Sequence, residues 1–78
     1  MAKTLGSQRH EALRALLVSR RKKAGLTQAE VAKRLGRYQS FVATVESGQR
    51  RIDVIEFLAF AEAIGFDPGR ALREIAVG

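Results

Sequence analysis

Residues 27–48 read TQAEVAKRLGRYQSFVATVESG and predict two short helices separated by a turn. The segment opens with a capping box, in which the Thr27 hydroxyl accepts from a free helical N–H and Glu30 reaches back to the Thr27 amide. Gly36 and Gly48 are expected to end the two helices, because glycine readily adopts the left-handed conformation that terminates a helix. The pattern predicts a turn over residues 36–38 and a second helix from about Gln39 to Ser47.

Helical patterns flank this segment on both sides. Ser7 offers an N-cap for a helix over residues 8–24, and Asp53 offers one for a helix that reaches Ile64. Asp67 and Pro68 then occupy the favoured first positions of a further helix. The apolar positions that recur on one face of the first helix are Leu13, Leu16, Leu17 and Ala24. No segment alternates apolar and polar residues for long enough to predict a strand. The sequence therefore predicts an all-α fold of five short helices around one core.

The length of 78 residues allows a single domain. We expect residues 1–7 to form a flexible arm and residues 8–78 to form the domain. Cysteine is absent and His10 is the only histidine, so neither a disulfide nor a zinc site is expected, and we predict no metal or cofactor. The apolar stretches are short and interrupted by charge, which predicts a cytoplasmic protein without a membrane segment.

The charge is distributed unevenly along the chain. The formal net charge is +6. Residues 1–51 contain twelve basic and three acidic side chains, whereas residues 52–78 contain two basic and five acidic ones. The basic part favours a polyanionic partner such as nucleic acid.

The segment from Thr27 to Gly48 resembles the helix-turn-helix of the phage repressor and Cro-like (XRE-type) DNA-binding family. The similarity extends more loosely from Leu13 to about Gly65. It implies a lambda-repressor-like fold in which the second and third helices form the helix-turn-helix and the third enters the major groove of double-stranded DNA. It also implies that Gln39 reads a base, and that Gln28 holds a phosphate and supports Gln39.

Base readout requires outward residues that are short and polar enough to meet the base edges. Four residues of the third helix fit this description: Gln39, Ser40, Ala43 and Thr44. Glutamine pairs well with adenine and a methyl group contacts thymine, so an A·T-containing half-site is expected. Many family members carry longer side chains near the last two positions, so part of the specificity is expected to come from DNA shape or dimer geometry.

Phosphate contacts need basic or short polar side chains along the rims of the reading helix. The candidates are Arg20, Gln28, Arg37, Tyr38, Ser47, Arg50 and Arg51. Tyr38 either reaches a phosphate or shields the turn. Neutralising about four to six phosphates per subunit predicts a log-log salt slope of roughly −4 to −5.

Lys22, Lys23, Lys33 and Arg34 are expected on solvated helix faces. The resemblance implies a structural ion pair between Arg21 and Glu46.

The fourth helix carries more apolar surface than one core contact needs. We expect Val54, Phe57, Leu58, Ala61 and Ile64 on one stripe, with Ile55 and Phe60 on its flanks. This surplus predicts a homodimer through residues 53–78, with half-sites about 34 Å apart on a palindromic operator. The predicted interface residues are Ile55, Leu58, Phe66, Leu72 and Ile75.

The function predicted from these features is a sequence-specific transcriptional regulator, a repressor or an autoregulator. Two alternatives remain open. One is an antitoxin-type regulator that binds a toxin protein through its C-terminal half, and the other is a protein-interaction module that no longer binds DNA. No catalytic triad or phosphate-binding loop occurs in the sequence, so an enzyme is not expected.

Overall fold

A computed structural model describes residues 7–77, which form five α-helices. They are α1 (Gln8–Lys23), α2 (Gln28–Leu35), α3 (Gln39–Glu46), α4 (Val54–Ile64) and α5 (Pro68–Val77). None of the described residues lies in a strand, so the predicted all-α class is confirmed. The predicted arm lies outside the described residues, except for Ser7, whose hydroxyl caps α1 by accepting from the His10 N–H. Gly78 also lies outside them.

The helix ends follow local signals in the sequence. Thr27 and Glu30 form the expected capping box at α2. Asp53 and Glu56 form a second one at α4. Gly65 ends α4 with φ of +96°, a backbone conformation in which a Cβ atom would be strained. These signals set the length of each helix and the turn that separates α2 from α3.

The core lies between α1, α2, α3 and α4, and α5 closes one side by packing against α1 and α4. Its largest fully buried side chains are Phe60, Leu17, Val31 and Val42. Val42 and Val45 anchor the inner face of α3 in this core. The opposite face of α3 is therefore left at the surface of the protein.

The arrangement of α4 differs from the expected stripe. Phe60 was expected on a flank, but it is 1% exposed and lies at the centre of the core. Val54 and Leu58, which were expected on the apolar stripe, are both exposed. The reason is that α4 packs against α1, α2 and α5, so its buried arc runs through Phe57, Phe60, Ala61 and Ile64.

The first turns of α1 contain polar side chains that bind the end of α3. His10 is buried, and its Nε2 lies 3.1 Å from the Gly48 carbonyl oxygen, where the ring N–H donates. Arg14 donates from Nη1 to the Glu46 carbonyl oxygen at 2.9 Å.

Ala24, expected on the buried face of α1, is instead its exposed C-cap. Within residues 7–77, no helix has the length and apolar character needed to cross a membrane.

Candidate nucleic-acid interface

The outer face of α3 carries the four residues predicted to read bases. Gln39 and Ser40 are exposed at its N-terminal end, and Ala43 and Thr44 follow one turn later and are half-buried. The Thr44 hydroxyl donates within its own helix, with the Ser40 and Phe41 carbonyl oxygens both 2.9 Å away. Its proton is therefore engaged, and the hydroxyl oxygen remains available as an acceptor.

Gln39 is held in place by a chain of hydrogen bonds that begins in the protein interior. Its Nε2 donates to Gln28 Oε1 at 2.8 Å. The Gln28 Nε2 in turn donates to Glu46 Oε1, also at 2.8 Å. The first residue of α3 is thereby connected to α2 and to the end of α3 itself. The structure thus brings together Gln28 and Gln39 as the sequence analysis expected.

Glu46 also accepts from Arg21, so the expected ion pair is present in the structure. Arg21 Nε lies 2.6 Å from Glu46 Oε2 and Nη2 lies 3.0 Å from Oε1, a bidentate arrangement. The side chains are 12% and 7% exposed. Hydrogen bonding to Glu46 raises the pKa of Arg21 above its usual value, so the guanidinium stays charged. This pair fixes α1 to the end of α3.

Two arginines lie beside α3 and share an aromatic ring. The Arg37 guanidinium is 3.7 Å from the centroid of the Phe41 ring, and that of Arg50 is 5.0 Å from it. Both also approach one oxygen of Glu56: Arg50 Nη2 at 2.7 Å and Arg37 Nη1 at 3.6 Å. A hydrogen bond from the Asp53 N–H and these arginines lower the pKa of Glu56. The cluster is partly exposed, so its cations remain accessible to an anion.

The remaining phosphate candidates occupy different surroundings. Tyr38, the N-cap residue of α3, is 86% exposed, and Ser47 and Arg51 are exposed as well. Arg20, in contrast, donates to both carboxylate oxygens of Glu74 in α5 and lies over the Phe66 ring. These contacts engage Arg20 with α5 rather than with the helix-turn-helix.

Four basic residues expected on solvated helix faces are all exposed: Lys22, Lys23, Lys33 and Arg34. Arg34 is an exception in its contacts, because its Nη1 donates to the Ala63 carbonyl oxygen at 2.8 Å. That carbonyl lies at the C-terminal end of α4, where helical carbonyls lack partners within the helix. Arg34 therefore links α2 to α4 in addition to facing solvent.

The last two helices, α4 and α5, expose several large apolar side chains. They are Val54, Ile55, Leu58, Leu72 and Val77. Of the predicted interface residues, Phe66 and Ile75 are only partly exposed and pack against the core of the same chain. Phe66 packs edge-on against Phe57, with ring centroids 5.8 Å apart. Ile55, Leu58 and Leu72 remain available to another molecule.

A family model described as a helix-turn-helix domain matches residues 12–74. A solved structure of an XRE-family like protein from Pseudomonas syringae pv. tomato str. DC3000 is 49% identical, with a TM-score of 0.84, over 88% of this chain and 84% of that one. The chain belongs to the XRE-type helix-turn-helix family. The clp gene regulator ClgR from C. glutamicum is 26% identical, with a TM-score of 0.80, over 90% of this chain and 91% of that one.

The restriction-modification controller protein C.AhdI from Aeromonas hydrophila is also similar to this XRE-type chain. It is 31% identical, with a TM-score of 0.68, over 78% of this chain and 86% of that one. The search of curated proteins found no match. Family membership and these relatives support a DNA-binding transcriptional regulator as the general class of the protein.

The contacts of two further residues, Glu56 and His10, were not predicted from the sequence. Glu56 follows Asp53 at the spacing of a capping box, a signal that could have marked it as structurally engaged. His10 lies three and seven residues before Leu13 and Leu17, on the buried face of α1, a spacing that could have placed it in the interior.

Proposed function

We propose that this protein represses or autoregulates transcription by binding a palindromic operator as a homodimer, with α3 in the major groove. One observation carries the proposal: the exposed amide of Gln39 is fixed by Gln28 at the N-terminal end of α3. A fixed amide at this place can meet an adenine edge at a lower entropic cost than a free one. Ser40, Ala43 and Thr44 are the other proposed base contacts.

Phosphate binding in this proposal comes mainly from three arginines, Arg37, Arg50 and Arg51. Gln28, Tyr38 and Ser47 supply neutral contacts. Arg20 is left out, because its contacts with Glu74 and Phe66 place it beside α5 and not beside α3. Three charged contacts per subunit set a limit of about −2.7 for the log-log salt slope per subunit, reached when all three arginines are free to neutralise phosphates. This value is shallower than the one expected from the sequence, because one arginine is engaged elsewhere and several other contacts are uncharged.

Selection of bound sequences from random duplex DNA is the most direct test of DNA binding. We expect a palindromic consensus with half-sites about 34 Å apart. Gln39→Ala is expected to relax the preference at one position of each half-site, whereas Arg51→Ala is expected to weaken binding to all sequences about equally. Arg73→Ala removes the same charge from the exposed face of α5 and serves as the control. Failure to enrich any sequence, together with no loss of binding in Arg51→Ala, would contradict the proposal.

The homodimer is proposed to form through α4 and α5. The exposed side chains of Ile55, Leu58 and Leu72 support it, because a small monomer rarely leaves an apolar surface of this kind in water. Phe66 and Ile75 are proposed to contribute only their partly exposed edges. Residues 52–78 contain more acidic than basic side chains, so an interface formed by them leaves the basic residues of each protomer free to bind DNA.

Sedimentation equilibrium at micromolar concentration tests this dimer. The wild-type chain is expected at twice its mass of 8.6 kDa, and Ile55→Glu is expected at the monomer mass. Ala15→Glu places the same charge at an exposed position of α1, outside the proposed interface, and is the control. A monomer mass for the wild-type chain, with and without DNA, would refute the dimer. Capture of a different protein by the wild-type chain and not by Ile55→Glu would support the antitoxin-type alternative instead.

A further inference from the structure

Arg37 and Arg50 reach the same place from different parts of the chain. Arg37 lies in the turn before α3, and Arg50 lies in the loop after it. Their guanidinium groups lie over the same Phe41 ring and approach the same oxygen, Glu56 Oε2. Two cations of the proposed DNA surface therefore share one internal anion.

The two carboxylate oxygens of Glu56 have separate partners. Oε1 accepts from the Asp53 N–H at 3.0 Å and completes the capping box of α4. Oε2 binds the two arginines. A guanidinium has five N–H donors and the carboxylate uses few of them, so donors remain for a DNA phosphate. A phosphate placed there would nevertheless meet the negative charge of Glu56.

We infer that Glu56 is a positioning residue for DNA binding, which holds Arg37 and Arg50 together in the free protein and competes with a backbone phosphate for them. Because it rests on the proposed function, the inference deepens that function rather than adding another. The carboxylate lowers the affinity of the protein for DNA to the same extent for every DNA sequence, because phosphate contacts carry no base information. It also reduces the number of counterions that DNA binding releases, since the arginines are partly neutralised before DNA arrives.

Glu56→Gln separates the two roles of this side chain. Glutamine serves at the third position of a capping box as glutamate does, so α4 keeps its N-terminal hydrogen bonds. The charge beside the arginines is lost. Glu62→Gln is the matched control, because Glu62 is exposed on the same helix and forms no ion pair within residues 7–77. Both variants change the net charge equally, and thermal unfolding verifies that both fold.

The assay measures fluorescence anisotropy with a mixed-sequence duplex of about 20 base pairs at several NaCl concentrations. E56Q is expected to bind about threefold to tenfold more tightly than E62Q, given one charge removed within several ångströms of a phosphate. Its log-log salt slope should be more negative by about 0.9 per subunit. Loss of the cap alone would weaken binding without making the slope steeper.

Arg50→Gln supplies a second comparison, since E56Q should gain less affinity in that background than in the wild-type chain. Equal slopes and affinities for E56Q and E62Q would overturn the inference and leave DNA binding intact. So would weaker binding of E56Q with a shallower slope. If the wild-type chain does not bind the duplex at any salt concentration, both the proposed function and this inference fail.

Discussion

Arg21→Ala is the substitution with the largest expected effect on stability. It removes both hydrogen bonds that Arg21 donates to Glu46 and a third, from Nη1 to the Leu26 carbonyl oxygen at 2.9 Å. The Glu46 carboxylate would still accept a hydrogen bond from the Gln28 amide but would lose its counter-ion. Because Glu46 is only 7% exposed, water can do little to replace that counter-ion. Removing one partner of a buried ion pair costs about 3–5 kcal/mol, because the other charge stays buried without compensation.

This cost is large for a chain of this size. At about 0.05–0.15 kcal/mol per residue, the free energy of unfolding of a chain of 78 residues is about 4–12 kcal/mol. A loss of 1 kcal/mol lowers the Tm of so small a domain by about 4–8 °C, so Arg21→Ala is expected to lower it by at least about 12 °C. Thermal unfolding followed by circular dichroism measures this change.

Arg20→Ala is the matched control, because Arg20 is the neighbouring residue and pairs with Glu74, which is 52% exposed. Pairs this accessible contribute about 0–1 kcal/mol, so the Tm should fall by only a few degrees. Equal shifts for the two variants would refute the reasoning. The double variant Arg21→Met/Glu46→Leu provides a further comparison, since replacing both charges by apolar side chains should restore much of the stability lost in Arg21→Ala.

Other predictions concern the site and the helix ends. Gln28→Ala should broaden the base preference at the position that Gln39 contacts, as measured by selection from random DNA, while lowering Tm less than Arg21→Ala does. Hydrogen bonds from the N-cap N–H groups lower the pKa of Glu30 and Glu56, so their stabilisation is complete above the unfolded pKa of about 4.3 and is lost as the pH falls through the lower folded values. Urea titrations between pH 7 and 3 should therefore show a smaller acid loss for E30Q/E56Q than for the wild-type chain. Gly65→Ala should cost about 1–2 kcal/mol in chemical denaturation because of its positive φ, whereas Gly69→Ala, inside the first turn of α5, should cost nothing.

The helix boundaries could be predicted because their signals are local. Capping residues such as Thr27 and stop residues such as Gly36 act within one helical turn, and the observed ends lie within one residue of the expected ones. The buried face of α4 could not be predicted in the same way. This helix carries apolar side chains on nearly all of its faces, so periodicity alone does not show whether Leu58 or Phe60 is buried. Packing against three other helices makes that choice.

The site shows the same division between local and tertiary information. The resemblance to the XRE-type family pointed to Gln28, Gln39 and the pair of Arg21 with Glu46. It gave no indication that Arg20, which is adjacent to Arg21 in sequence, pairs with Glu74 in α5. A helix turns by about 100° per residue, so adjacent residues face different neighbours, here α5 and α3. Nothing local brings together the three charges at Glu56, because they come from different segments of the chain.

The position of Glu46 connects the stability of the fold to the proposed reading of DNA. Its Oε2 accepts from Arg21 in α1, and its Oε1 accepts from both Arg21 and Gln28, which holds Gln39. The orientation of Gln39 at the protein surface therefore depends on how α1 packs against α3. A base contact by Gln39 would use an amide already ordered by this chain of hydrogen bonds, at a smaller entropic cost than a free side chain. Substitutions in α1 can consequently weaken DNA binding without any contact to DNA. They would leave the Gln39 side chain in place but remove the hydrogen bonds that fix its orientation.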